Sequence, residues 1–360
     1  MLVVALALDL WNRREAIGID FHTYLAASVV GLHQGWSHIY DQPLVAAAQK
    51  QLDPGLWSQP FLSPPTVAWL AAPLMLFPYA VAYVIWAVLT FAAFAVALTW
   101  AGVSTGTGRW IAVLGALTPW WVLHAVYLGQ VVPLVAAGVV VGWRLLRDKK
   151  EIAAGVALSL MFLKPNTAIL VPFALLVARR YRAFVSWLAV GGILALTALL
   201  LLGMQGVSAY VNELRATLPS GADSLTIKGA VGATGVVALA LRVIIVGAVL
   251  AAAFRLHKSP GLVVPAGIMG SLIVSPYLHA SDLCLLSAAA WMVWEERPAV
   301  AWRATLAVGW VLASPFLFIT GLSPDLHRWP WIELALLMAL VVAAFLPLTG
   351  TADLRTRAPA

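Results

Sequence analysis

The chain has 360 residues, of which 62% are hydrophobic and only 10% charged, with a formal net charge of +7 and a mean hydropathy of +0.92. A soluble domain is roughly 45–50% apolar and about 25% charged, so this composition reads as an integral membrane protein. It excludes a soluble nucleic-acid binder despite the basic balance, because the Lys and Arg residues fall in short clusters between apolar runs.

One cysteine, Cys284, excludes an internal disulfide, a Cys-based zinc site and a redox pair. No N-terminal cleavage pattern is legible. Strand-type alternation is absent, which argues against an outer-membrane barrel.

In chain order, the apolar runs predict helices near 1–11, 64–77, 79–101, 110–127, 131–146, 151–162, 166–178, 183–203, 229–253, 261–275, 281–294, 301–319 and 331–348. The fold class is therefore all-α, a polytopic transmembrane helical bundle forming a single domain over 1–360. The opening run "MLVVALALDLW" is shorter than a crossing of a ~30 Å core: either the first helix is truncated, or it spans only part of the bilayer. Residues 12–62 read as an external loop carrying two helices, 20–33 and 41–52, that lie along the membrane surface. A second external loop is expected over 204–228.

Basic clusters at 144–150, 179–182, 255–258, 297–303 and 355–357 set these turns in the cytoplasm. Gln130, Lys164, His279 and the 321–330 loop then lie on the outer side. If 12–62 is external and Arg109 internal, 64–77 and 79–101 cannot both cross fully, so one is re-entrant or Arg109 is external.

Several polar residues stand out against this background. Asp20 has two compatible readings, a helix N-cap and a general base for an acceptor hydroxyl. Asp41, in "IYDQP", suits turn or helix-start chemistry. Lys164, followed by Pro165 between two short helices, is either a snorkelling side chain or a phosphate-binding cation at a broken tip. His279 and Asp282, in "SPYLHASDL", sit three residues apart and could share a helix face, as a structural pair or as one that handles protons or contacts phosphate. Gln130 could bind a sugar hydroxyl or cap a helix. His327 and Arg328 could contact an anionic headgroup or border the membrane. No three-ligand metal pattern, DxD pair, HExxH or phosphate-cradling loop occurs.

The stretches "DFHTYLAASVVGLHQGWSHIYD", "FLSPPTVAWLAAPLMLFPYAVAYVIW", "LGQVVPL", "FLKPNTAILVPFALLVARRYR" and "SPYLHASDL" follow one another over about residues 18–290. Together they resemble the bacterial GT-C membrane glycosyltransferases that take mannose from polyprenyl-phosphate mannose, a family that includes the phosphatidylinositol-mannoside mannosyltransferases of actinobacteria. The resemblance implies a GT-C helical core in the bacterial inner membrane, with the site facing the periplasm or cell exterior. It makes Asp20 the catalytic base, puts Lys164 and His279 near the donor phosphate, and has Tyr40, Asp41, Gln130 and Asp282 shape the cavity, with Arg328 a further candidate for the phosphate.

The function it implies is inverting transfer of a hexose, mannose, from a polyprenyl-phosphate donor to a hydroxyl of a lipid-linked or glycan acceptor. The expected partners are donor, acceptor and bilayer, with no nucleic acid and no cofactor or metal. The chain departs from the family in its short first helix, its compactness, and Asn166 after the Lys-Pro turn. The alternative from another class is a lipid or glycan transporter or flippase, for which inverted repeats would argue; none is found. A third reading is a scaffold subunit without activity.

Overall fold

The computed structural model describes residues 16–217, 225–314 and four isolated positions, 339, 341, 342 and 344. The helix expected at 1–11, the 321–330 loop with His327 and Arg328, most of 331–348 and the basic residues at 355 and 357 lie outside the described residues.

Among the described residues the secondary structure is helical, with no strand. The helices are α1 (Ile19–His33), α2 (Gln42–Leu52), α3 (Pro65–Ala71), α4 (Tyr79–Ala101), α5 (Gly106–Leu117), α6 (Trp120–Leu128), α7 (Val132–Arg147), α8 (Glu151–Leu158), α9 (Leu170–Val177), α10 (Tyr181–Thr217), α11 (Ile227–Val231), α12 (Gly235–Arg255), α13 (Pro260–Val274), α14 (Cys284–Glu295) and α15 (Val300–Leu312). Short 3₁₀ turns at 36–38, 72–76, 159–163, 165–167 and 280–283 join or extend them.

Three of these, Tyr79–Ala101, Tyr181–Ala216 and Gly235–Arg255, are long and apolar enough to cross a membrane. Their outward side chains confirm the assignment physically. Val236 is 82% and Leu200 74% exposed, a state that hydrocarbon satisfies and water does not. The chain is an all-α polytopic membrane protein.

Several boundaries moved. The single helix expected over 110–127 is two, α5 and α6, bent by 52°, because Pro119 cannot donate to the ladder. Residues 65–76 form only seven α-helical residues and a 3₁₀ turn, so of the two segments disputed above only α4 has the length of a span. The stretch 204–217, expected as an open loop, is helical. Gly203 breaks α10 with φ 60° and ψ −177°, a conformation open to glycine and strained for other residues.

The largest revision concerns α1. Its expected role was a surface helix with one apolar side, yet residues around its whole circumference, including Phe21, His22, Leu25, Ser28 and Val30, are 0% exposed. It is a core helix. Two of its polar side chains find backbone partners: Ser28 Oγ donates to Ala68 O at 2.7 Å, and His22 Nε2 lies 2.8 Å from Gln49 O, while His22 Nδ1 is buried without one.

The start of α1 is pinned by backbone. Gly18 N donates to Tyr127 O (2.8 Å), Tyr79 Oη donates to Gly18 O (2.9 Å), and Gly129 presses against Phe21. At Gly129 φ is 72° and an added Cβ would lie 2.6 Å from Phe21 Cβ, so the C-cap of α6 and the first turn of α1 touch only because no side chain intervenes. Gly129→Ala should cost about 1–3 kcal/mol of overpacking on top of left-handed strain of about 1–2 kcal/mol. It should appear as a lowered thermal midpoint in detergent together with reduced activity, since the same shift displaces Asp20 and Gln130.

Candidate active site at the α1–α6–Lys164 junction

The extended stretch 57–62 has no ladder of its own, and its buried backbone groups need partners. Two glutamines one heptad apart on α2 supply them. Gln42 accepts from Phe61 N (3.0 Å), while Gln49 accepts from Gln59 N (3.1 Å) and donates to Gln59 O (2.8 Å). Held in this way, the Gln59 side chain donates to Ile19 O (3.1 Å) and to Asp20 Oδ1 (2.9 Å).

The other oxygen, Asp20 Oδ2, accepts from Gln130 Nε2 at 2.7 Å. Asp20 is thus not the N-cap, which is Gly18; its carboxylate faces side chains instead of the helix backbone. Gln130 Oε1 in turn accepts from Tyr24 Oη and from Lys164 Nζ, each at 3.1 Å. One carboxamide therefore joins the carboxylate of α1 to the cation of the Lys-Pro turn.

Lys164 Nζ lies 2.6 Å from Asp282 Oδ1, and Asp282 is fully buried. Asp282 Oδ2 accepts from His279 N (2.9 Å), which closes the 3₁₀ turn at the start of α14. Beside it the Tyr277 hydroxyl and His279 Nε2 are hydrogen-bonded, and Asn166 Nδ2 donates to Tyr277 O (3.0 Å).

These groups surround a cavity of about 440 Å³ whose lining includes Asp20, Tyr24, Gln59, Gln130, Lys164, Asn166, Tyr210, Tyr277 and His279. Tyr210 belongs to the part of α10 beyond Gly203 and stacks on Tyr40, ring centroids 4.5 Å apart.

Of the residues singled out in the sequence, Asp20, Gln130, Lys164 and His279 line this one cavity. Asp282 sits behind Lys164 as its counter-ion. Tyr40 is a layer back, its hydroxyl donating to Ser63 O (2.8 Å). Asp41 is not in the lining: it is the N-cap of α2, accepting from Leu44 N, so the structural reading of "IYDQP" stands and a cavity-shaping role does not. Arg328 is outside the described residues. Sequence reasoning missed Tyr24, Gln59, Tyr210 and Tyr277 and noted Asn166 only as a departure from the family pattern; of the four missed, only Tyr277 carried a signal, two residues from His279 in a proline-broken turn.

Electrostatics differ on the two sides. Burial raises the pKa of Asp20 above its ordinary 3.8, opposed by the Lys164 charge and by the Gln59 and Gln130 hydrogen bonds. Burial and the Lys164 charge lower that of His279, against the pull of Asp282 and Asp20. Among the described residues no group of three or more His, Cys, Asp and Glu could hold a metal ion.

Removing one member of the buried pair leaves the other uncompensated. Asp282→Ala should cost about 3–5 kcal/mol, read as a fall in the thermal midpoint, whereas Lys164→Met combined with Asp282→Asn should recover most of that loss. Equal midpoints for Asp282→Ala and the parent would contradict the pair's structural weight.

The comparisons with known proteins agree with this architecture. Residues 61–315 match Glycosyltransferase family 87; Gln130, Lys164, His279 and Asp282 fall inside the matched range, and Asp20 precedes it. No curated protein and no solved structure matches the chain. A match over well more than half of the sequence, on an all-α membrane bundle, settles the relationship: the chain belongs to Glycosyltransferase family 87, a family of GT-C-type membrane glycosyltransferases.

Proposed function

We propose that this glycosyltransferase moves a hexose, mannose, with inversion from a polyprenyl-phosphate donor to a hydroxyl of a lipid-linked or glycan acceptor, on the periplasmic or outer face of a bacterial inner membrane. The observation that carries the reading is the Gln130 carboxamide holding Asp20 Oδ2 at 2.7 Å and Lys164 Nζ at 3.1 Å on the wall of one cavity. A base and a cation so placed match the two ends of a displacement at an anomeric carbon. The sugar specificity rests on the family resemblance of the sequence stretches quoted above. The outward orientation rests on the basic turns at 147–150 and 179–182, which lie at the opposite end of the α8–α9 hairpin from Lys164.

Asp20 takes the proton from the acceptor hydroxyl as its oxygen bonds to C1 of the sugar. An ionised carboxyl has about four lone-pair sites; two are filled by Gln59 and Gln130, and the others are open to the acceptor. The C1–O bond to the lipid phosphate breaks on the opposite face. A phosphodiester with one negative charge becomes a phosphomonoester with a second, so positive charge and donors placed there stabilise the transition state more than the ground state.

Lys164 has three N–H donors, two directed to Asp282 and Gln130. The third serves the phosphate, joined by the Tyr277–His279 pair at the same wall, while the Asn166 amide donates to Tyr277 O and Ser275 Oγ and so holds that turn in place.

The test is incubation of purified protein with polyprenyl-phosphate mannose and candidate lipid acceptors, with mass spectrometry and anomeric assignment of the product. A retained configuration, or transfer from nucleotide sugars alone, would overturn the proposal. Asp20→Asn should lower kcat about 10²–10⁴-fold with donor binding largely kept.

The pH dependence follows in sign from the shift at Asp20. The base works only when deprotonated, so activity falls as pH drops through a value held above 3.8 by burial. Lys164 lowers that value, so Lys164→Met/Asp282→Asn should move the acid limb of the kcat profile to higher pH. A limb that stays in place or moves down would separate Asp20 from the rate-limiting proton transfer.

A further inference from the structure

At the open end of the α8–α9 hairpin a second cavity, of about 650 Å³, is lined by Lys149, Lys150, Glu151, Arg179, Tyr181 and Arg182 with Ile152 and Ala153. Its charge is unbalanced. The one acid in the lining, Glu151, already pairs with Arg180 (3.2 Å), and the neighbouring Asp148 with Arg144 (3.1 Å). No ion pair to Lys149, Lys150, Arg179 or Arg182 occurs among the described residues. Four cations around one cleft repel each other unless an anion enters.

The same wall contains the first turns of α8 and α10, whose leading N–H groups have no intrahelical partner. The two turns that build it are copies of one motif. Lys150 N donates to Leu145 O and Arg180 N to Leu175 O, both at 2.8 Å, and the residue before each, Lys149 and Arg179, has φ of 59° and 65°. Glycine is the usual occupant of that position; here a cation holds it twice, side by side.

The location specifies the anion. α10 enters its membrane span at Tyr181, so the cleft lies at headgroup level, and the lane leading from it along α8 and α10 is apolar and uncovered: Ile152 is 62%, Val185 60% and Leu188 52% exposed. Ser186 Oγ donates to Ile152 O (3.0 Å), so the two helices form one continuous surface. A soluble anion would leave that lane unused. We propose that this cleft binds the phosphate headgroup of an anionic membrane phospholipid, with the acyl chains lying on the α8–α10 lane, as a site separate from the sugar-transfer cavity.

The test uses full-length protein, delipidated in detergent and studied by native mass spectrometry with phosphatidylglycerol or phosphatidylcholine of identical acyl chains, and with inorganic phosphate as competitor. The expected result is preferential retention of phosphatidylglycerol, lost by on the order of 10-fold or more in Lys149→Gly/Arg179→Gly. The thermal midpoint should not fall, because glycine suits both left-handed positions. Lys150→Gln/Arg182→Gln, at ordinary backbone angles, should lower retention likewise and serves if the first variant is poorly folded. Equal retention of the two lipids, unchanged retention in both variants, or displacement of the lipid by inorganic phosphate alone at millimolar concentration would overturn the assignment.

Discussion

The side chain of Gln130 connects three parts of the protein that nothing in the chain's local order brings together. Its amide nitrogen holds Asp20 on α1 and its oxygen accepts from Tyr24 and Lys164. A carboxamide can do this because it is donor and acceptor at once and carries no charge to upset the balance between a carboxylate and an ammonium. Buried polar networks of this kind are stable only when every member is satisfied. The packing around Gln130 serves that condition: the Gly129 turn lets α1 approach, Trp86 Nε1 donates to Gly129 O (2.8 Å), and the glutamines of α2 fix Gln59.

Charge placement divides the cavity into two ends. Lys164 would be costly inside a membrane bundle on its own; the buried Asp282 offsets it and fixes its position through the His279 turn. The site sets two carboxyl groups, Asp20 and Asp282, around the single amine of Lys164, so an excess of cationic side chains is not what would draw an anion into it. Hydrogen-bond donors gather at the Lys164–Tyr277 wall, while the carboxylate end disfavours phosphate and suits a hydroxyl. The proposed placement of donor and acceptor at opposite ends rests on this asymmetry.

The break at Gly203 gives the fold a second functional consequence. α10 leaves its apolar stretch there and its last turns pass over the loop after α1, where Gly206 meets Ser37 O closely enough that a Cβ would lie 2.9 Å away. Tyr210 and Leu214 thereby become part of the cavity lining. The Tyr210 ring stacked on Tyr40 places a flat apolar face beside the polar network.

The amino-acid sequence alone determined the class of this protein, because membrane burial is a matter of composition and run length, and both are local. It also marked Asp20, Gln130, Lys164 and His279, since a polar group set in a long apolar context stands out without coordinates. It misjudged α1 because Ala, Leu and Val on a helix look the same whether lipid or protein covers them; for Asp41 the residues themselves pointed to helix-start chemistry, and only the family resemblance placed it in the cavity. Only the tertiary structure decided which polar residues meet: Gln59, Tyr24, Asn166 and Tyr210 reach the site through hydrogen bonds and stacking between segments up to more than a hundred residues apart, and such pairings leave no periodic trace in a single chain. Separation along a sequence carries no information about direction in space, and it is direction that turns a carboxylate and a cation into two ends of one cavity.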